Sequence, residues 1–435
     1  MKRAAYKQLM DWKQQSNRKP LIIQGARQVG KTYLMKSFGA AEYQEVAYFN
    51  FETTRTLSSI FQKGYAITSM ISSLEILHGK PIIPTQTLII FDEIQACPEA
   101  ITSLKYFYEE APEYHIFAAG SMLGVAIHQG VSFPVGKVSF LSLYPLSFHE
   151  FLEASGAHGL LEAIDKEQLD ILQMLSLELL DYYKRYCFLG GMPEVLNNYF
   201  EYNDLHRARV IQNDILQSYE NDFSKHAPIA QLPRIRMVWQ SIVPQLAKEN
   251  SKFLYSMLRT GGRAKEFEMA IEWLKDAGVI HKVVRLSKPG IPIASYADFS
   301  DFKIYLSDVG LLGAMSNLPI DVVLEGNRLF EEFKGVMAEQ FVCQLLLSKG
   351  YSTHYWSPDA GKSEVDFVIQ KDLRVIPIEV KSGENLRARS LRVYFDKYQP
   401  LECIRTSLAG YQKQDWVKNV PLYLLERWLN RESSL

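Results

Sequence analysis

The 435-residue chain carries 48 Lys and Arg against 49 Asp and Glu, a net charge of −1, and 47% of it is hydrophobic. That length predicts about three domains, each able to form a core, and the near-zero charge excludes bulk electrostatic binding to nucleic acid, so any such surface is a local patch. Cys97, Cys187, Cys343 and Cys403 are too widely spaced for a zinc site or disulfide framework, and no long uncharged apolar run is present, so a reduced, cytoplasmic protein with no membrane partner is expected.

In chain order, the first strand is expected at Leu21–Gln24 and runs into the most informative stretch of the sequence. Gly25, Ala26, Arg27, Gln28, Val29, Gly30, Lys31 and Thr32 read GARQVGKT and fit G-x-x-x-x-G-K-[ST] at every fixed position. Tyr33 and the residues after it read as a helix start. Strand, glycine-containing turn and helix N-terminus together aim backbone N–H groups at one point, where the helix dipole favours an anion. These residues, with Tyr33, form the candidate nucleotide-binding set. Lys31 is placed to reach the β- and γ-phosphates, and the Thr32 hydroxyl to ligate Mg²⁺.

Further strands are expected at Val46–Phe51, Leu88–Phe91, His115–Ala119 and Val138–Leu143, with helical patterns between them, for example Pro98–Tyr108. Asp92 falls at the carboxyl end of its strand and is the candidate for the Mg²⁺ shell; Glu93 is the candidate that orients the attacking water. Ser121 follows the fourth strand and reads either as a γ-phosphate sensor or as part of a Gly-Ser turn. The alternation implies an α/β fold built on a parallel sheet with helices on both faces. Five strands with the two motifs on the first and third match the additional-strand class of P-loop ATPases.

On these residues the chain resembles the AAA-type ATPases of bacteria and archaea whose C-terminal half is a domain of unknown function. The resemblance rests on GARQVGKT, LIIFDEIQ (Leu88–Gln95), AAGSML (Ala118–Leu123), LYPLSFHEFL (Leu143–Leu152), GGMPEV (Gly190–Val195) and FKIYLSDVGLL (Phe302–Leu312). It implies ATP as the nucleotide, hydrolysis of Mg-ATP, and the possibility of a homo-oligomer. Where the family has Gly-Arg before the fifth strand, this chain has Gly136-Lys137. Lysine keeps the charge but loses the bidentate fork, so no arginine finger is assigned.

The expected division is an ATPase core over 1–150, a helical lid over 151–225, a winged-helix-like segment over 226–320 and a nuclease-like α/β domain over 325–435. Leu160–Asp181 carries helical periodicity, and His149, Glu150 and His206 read as solvated or capping residues. Helices at Ile235–Lys248 and Ala264–Ala277 precede a strand from Gly278 to Val284. Arg259, Arg263 and Lys265 stand where a recognition helix would meet phosphates, and a protein-packing role is the equal alternative.

In the last segment, Glu364–Ile369 and Val375–Lys381 read as a hairpin after a helix over Phe333–Ser348. Residues i and i+2 share a strand face. Glu379 and Lys381 therefore project together, and pairing brings Asp366 beside them. The pattern resembles the PD-(D/E)xK nuclease fold, with Glu339 as its helix acid. That likeness implies a second Mg²⁺, or Mn²⁺, on Asp366, Glu379 and Glu339, with Lys381 activating water against DNA or RNA. A hairpin with a solvated charged face is the competing reading. Arg387, Arg389, Arg392 and Lys397 follow as a local basic patch, and Tyr394 and Tyr398 read as core. Two functions remain: an ATPase coupled to a nuclease-like domain acting on nucleic acid, or an ATP-driven switch whose nuclease-like domain only binds partners.

Overall fold

Leu88, Ile89, Ile90 and Phe91 need burial on both faces, and all four are fully buried in an interior strand of a parallel sheet. The structure, a computed structural model, describes the chain except residues 55, 63, 65, 121–132, 249–250, 325–330, 360–362, 385 and 432–435. The chain divides into two units, Met1–Tyr144 with Asp276–Gly278, and Pro145–Lys275 with Val279–Leu435.

The first unit holds β1 (Leu21–Gln24), β2 (Glu45–Asn50), β3 (Thr87–Asp92), β4 (His115–Ala119) and β5 (Ser139–Ser142). Their order is β2-β3-β4-β1-β5 and every neighbouring pair is parallel. β4 is thus inserted between the two motif-bearing strands, as the additional-strand reading expects. Helices α1 (Ala5–Gln14), α2 (Lys31–Glu42), α3 (Thr56–Gln62), α4 (Ile67–His78) and α5 (Pro98–Glu110) surround the sheet sequence. One core joins Ile89, Phe91 and Ile116 of the sheet to Leu57, Met70, Leu74, Leu104 and Phe107 of α3, α4 and α5.

At the start of β4, His115 is 5% exposed. Arg18 donates to its Nε2, so Nδ1 carries the ring proton and donates to the Tyr43 hydroxyl, 2.7 Å away. A second proton on Nε2 would face the Arg18 guanidinium. Burial, then Arg18 and Lys13, push this imidazole down to about 4 from its ordinary 6.5. A depressed histidine stabilises the fold as the neutral ring, so its contribution is full above the unfolded value and is lost as pH falls through 4. That contribution is at most about 3 kcal/mol, less where solvent screens the ring. Urea unfolding between pH 7 and 4 is expected to show a steeper loss of stability in the wild type than in His115→Gln, which has nothing to protonate. Equal slopes would contradict the assignment.

The second unit opens with helices. Ser147 and Glu150 form a reciprocal capping box on the helix Phe148–Ala154. Glu426 accepts from Ser147 Oγ at 2.9 Å and from the His149 amide at 3.1 Å, and pairs with Lys349 Nζ at 2.8 Å. His149 Nε2 lies 3.2 Å from Asp165 Oδ1, and His206 is exposed. The helical periodicity over Leu160–Asp181 is realised in three pieces, His158–Asp165, Leu169–Met174 and Ser176–Leu189. Glu167, with φ 53°, turns the chain between the first two.

GGMPEV and FKIYLSDVGLL meet through one buried carboxylate. Asp308 is fully buried and accepts from the Gly191 amide at 2.7 Å and the Leu311 amide at 3.0 Å. A Cβ on Gly190, where φ is 72°, would come within 2.0 Å of Asp308 Oδ1, so only glycine fits.

Helices Leu232–Leu246 and Ala264–Asp276 precede an antiparallel hairpin, β6 (Ile280–Leu286) and β7 (Ala297–Leu306). β6 also pairs in parallel with β8 (His354–Trp356), so this hairpin and the C-terminal strands share one sheet. With β9 (Val365–Lys371), β10 (Arg374–Val380), β11 (Ile404–Ser407), β12 (Gln412–Lys413) and β13 (Lys418–Pro421), the order is β12-β13-β11-β10-β9-β8-β6-β7. Tyr394 is fully buried against Trp356, with which Tyr398 also makes an edge contact. All four cysteines are buried and free. Among the described residues, no helix is long and apolar enough to cross a membrane.

Candidate functional site

β1 delivers the chain into the glycine-containing loop, and α2 begins at Lys31. Gly30 has φ 94° and Gly25 φ 148°. A Cβ on Gly25 would stand 2.2 Å from the Leu143 carbonyl oxygen, so the loop can lie against the chain after β5 only with glycine there. Lys31 is 7% exposed, and its ammonium donates to the Gly25 and Ala26 carbonyls at 2.8 and 2.7 Å. Burial pushes it down to about 8, against the pull of Glu93 and Asp92.

The two halves of the site meet at one oxygen. Thr32 Oγ1 donates to Asp92 Oδ2 at 2.7 Å, although the residues are 60 apart in sequence. β1 and β3 each pair with β4, which brings the end of β3 to the loop. Asp92 is 3% exposed. Glu93 follows with φ 51°, a left-handed conformation uncommon for a long side chain. Its Oε2 accepts from Gln95 Nε2 at 2.6 Å. Tyr33 is largely exposed on the first turn of α2. Ser121 lies outside the described residues.

Sequence reasoning missed Tyr48 and Gln95. The Tyr48 hydroxyl donates to the same Asp92 oxygen at 2.8 Å, and Lys36 Nζ lies 3.5 Å from the Tyr48 ring centroid. The β2–β3 register sets Tyr48 against Ile90 and Asn50 against Asp92, a pairing that no local motif announces. Burial, with Asp92 adding to it, pushes the phenol up to about 12. It therefore stays a donor that orients the carboxylate. Tyr48→Phe is expected to raise the Mg²⁺ concentration needed for half-maximal ATP turnover about tenfold, a typical effect of losing a group that orients a metal ligand. An unchanged Mg²⁺ requirement would count against that role.

In the second unit, Asp366, Glu379, Lys381 and Glu339 are brought into one electrostatic group. Lys381 Nζ pairs with Glu379 Oε1 at 2.7 Å, Asp366 Oδ2 accepts from the Val380 amide at 2.7 Å, and Glu339 Oε2 accepts from the Tyr305 hydroxyl at 2.8 Å. Burial, then Glu379 and Glu339, push Asp366 well above the usual carboxylate range. Lys303 of β7 was also missed. Burial opposes its charge, but Glu339, Glu364 and Asp366 outweigh burial and hold it above the ordinary lysine value. The available signal was a lysine in the otherwise apolar run Phe302–Leu306. Among the described residues, no group of three or more His, Cys, Asp or Glu is disposed to hold a metal ion. Arg259, Arg263 and Lys265 are exposed, Arg259 pairing with Glu266 at 2.6 Å, and Arg387, Arg389, Arg392 and Lys397 are exposed around the helix Arg389–Tyr398.

Three family models match the chain. Residues 17–152 match an AAA domain, AAA_14, residues 180–321 a domain of unknown function, DUF8612, and residues 334–425 a second such domain, DUF4143. No curated protein matches. Among solved structures, the chain is similar to the Walker-type ATPase PABY2304 of Pyrococcus abyssi, at 14% identity over 72% of this chain and 95% of that one, with a TM-score of 0.45. It is also similar to the Aeropyrum pernix ORC1 protein in complex with DNA, at 12% identity over 74% and 93% with a TM-score of 0.28. The Aeropyrum pernix ORC2 protein in its ADP form matches at 13% identity over 78% and 93%, with a TM-score of 0.30. At these identities and scores the likeness carries neither activity nor partner to this chain. The AAA domain match over residues 17–152 agrees with the parallel sheet and its inserted strand, which give this stretch a P-loop ATPase fold.

Proposed function

We propose that the chain is an ATP-driven switch: the first unit binds and hydrolyses Mg-ATP, and the second engages a partner, for which DNA or RNA is the reading its exposed arginines and lysines favour. The observation that carries the ATPase half is the 2.7 Å bond between Thr32 Oγ1 and Asp92 Oδ2. It joins a hydroxyl and a carboxylate, hard oxygens that suit Mg²⁺. Thr32 and Asp92 would hold the ion, which when bound neutralises charge on the phosphates. The loop amides and Lys31 bind and orient the phosphates, Ser121 is the candidate sensor of the γ-phosphate, and Glu93 orients water and takes its proton at a side-chain carboxylate oxygen.

The cleaving reading of the second unit assigns Asp366, Glu379 and Glu339 to Mg²⁺ or Mn²⁺ and Lys381 to water. The residues fit that ion poorly as arranged. Glu379 is committed to Lys381, Asp366 to a backbone amide and Glu339 to Tyr305, with a second buried ammonium beside them. These commitments favour partner binding over cleavage, so the nuclease-like layout serves here as a binding module.

The test is to incubate the full chain with single- and double-stranded DNA and RNA, with Mg²⁺ or Mn²⁺, with and without ATP. Phosphate release without strand cleavage is expected. Cleavage that disappears in Asp366→Ala would replace the switch with a nuclease, and absence of phosphate release would remove the ATPase half.

A further inference from the structure

Lys303 is 1% exposed, which few lysines tolerate. Its Nζ lies 2.6 Å from Glu364 Oε1 and 3.7 Å from Glu339 Oε2, and 5.2 Å from the centroid of the Tyr355 ring. Buried charge persists only where it is paired, and here the partners are the acids of the nuclease-like hairpin and its adjoining helix. One atom among these acids is left over. Glu379 is 4% exposed, and its Oε2 has no hydrogen-bond partner among the described residues. A buried carboxylate oxygen in that condition calls for a donor or a cation.

We propose that the Lys303 ammonium is the resident cation of this cluster, and that it closes a latent divalent-cation site formed by Glu379, Asp366 and Glu339. Four acids, Glu339, Glu364, Asp366 and Glu379, face the ammoniums of Lys303 and Lys381, and the buried Arg405 stands opposite Glu379 across the β10–β11 register. A divalent ion entering beside Lys303 meets a fixed positive charge at close range in a buried setting. Removing that charge leaves the same hard oxygens with a stronger call for a cation. The inference rests on the non-cleaving reading of the second unit and supplies its cause.

The test uses nucleotide-free full-length protein with Mn²⁺ alone as the probe, read by the paramagnetic resonance signal of free Mn²⁺. Lys303→Met is expected to bind one Mn²⁺ at least about tenfold more tightly than the wild type. Adding Asp366→Asn to that variant is expected to remove the gain. A folded Lys303→Met protein that binds Mn²⁺ no better than the wild type overturns the proposal, as does a wild type that binds as tightly as the variant. If Lys303→Met does not fold, the charge-balanced Lys303→Met/Glu364→Gln decides. Recovery of the fold supports an ammonium held as counter-ion, and its failure to fold overturns the proposal. Loss of the ATPase reading would show separately, as absence of phosphate release, since no nucleotide enters this measurement.

Discussion

Lys31→Ala is expected to weaken Mg-ATP binding about 10- to 100-fold, since a hydrogen bond to a charged group is worth about 1.5–3 kcal/mol. Turnover should fall further, by about 10²–10³, because the ammonium also meets charge that develops in the transition state. The fold should survive. Burial already pushes Lys31 down to about 8, so at neutral pH its charge is held against its surroundings. A lysine lowered in the folded state penalises stability fully below the folded value, and the penalty vanishes above the unfolded value of 10.5. That penalty is about 3 kcal/mol, so the nucleotide-free alanine variant should be no less stable than the wild type at pH 7. Phosphate oxygens restore a partner for the charge, and a given ATP concentration should therefore raise the melting temperature of the wild type more than that of the variant. Calorimetric titration and thermal unfolding read both halves. Unchanged ATP affinity in Lys31→Ala would contradict the assignment.

Glu93→Gln is expected to separate binding from turnover. The change keeps the shape of the side chain and removes the proton acceptor. ATP should bind with little change while hydrolysis slows by at least about a hundredfold, the usual worth of general-base help. The bond between Gln95 Nε2 and Glu93 Oε2 holds this side chain by its oxygen. The glutamine variant can still accept that bond, so its loss of rate reports on charge and proton transfer, not on position. A Glu93→Gln protein with normal steady-state phosphate release would exclude the role.

The phosphate loop was legible in the sequence because its chemistry is local. Spacing fixes Gly25, Gly30, Lys31 and Thr32, and apolar runs fix the strands on either side. The parallel sheet was legible for a similar reason: strands buried on both faces have no polar alternation, and those between Leu21 and Ser142 sit within a residue or two of where composition puts them. Tyr48 was not legible. It reaches Asp92 only through the register of two strands about 40 residues apart, and register is a long-range property.

The second unit was harder to read for the same physical reason. β6 pairs with β8 across a long intervening stretch, so the β6–β7 hairpin continues into the C-terminal sheet, although the sequence suggests a boundary between them. Helical periodicity carried on through Leu160–Asp181 because apolar spacing does not record a left-handed residue such as Glu167. Asp366, Glu379 and Lys381 could be set on one face from strand alternation alone. That Lys303 joins them depends on β7, which sets Lys303 beside them although it lies more than 60 positions before Asp366.

The central claim is that the loop and the end of β3 act together on Mg-ATP. It is tested most directly by phosphate release from ATP by the purified full-length protein, measured with Mg²⁺ and again with excess EDTA. Steady release with Mg²⁺ that stops in EDTA is predicted. No release with Mg²⁺ present, or release at the same rate in EDTA, would contradict it.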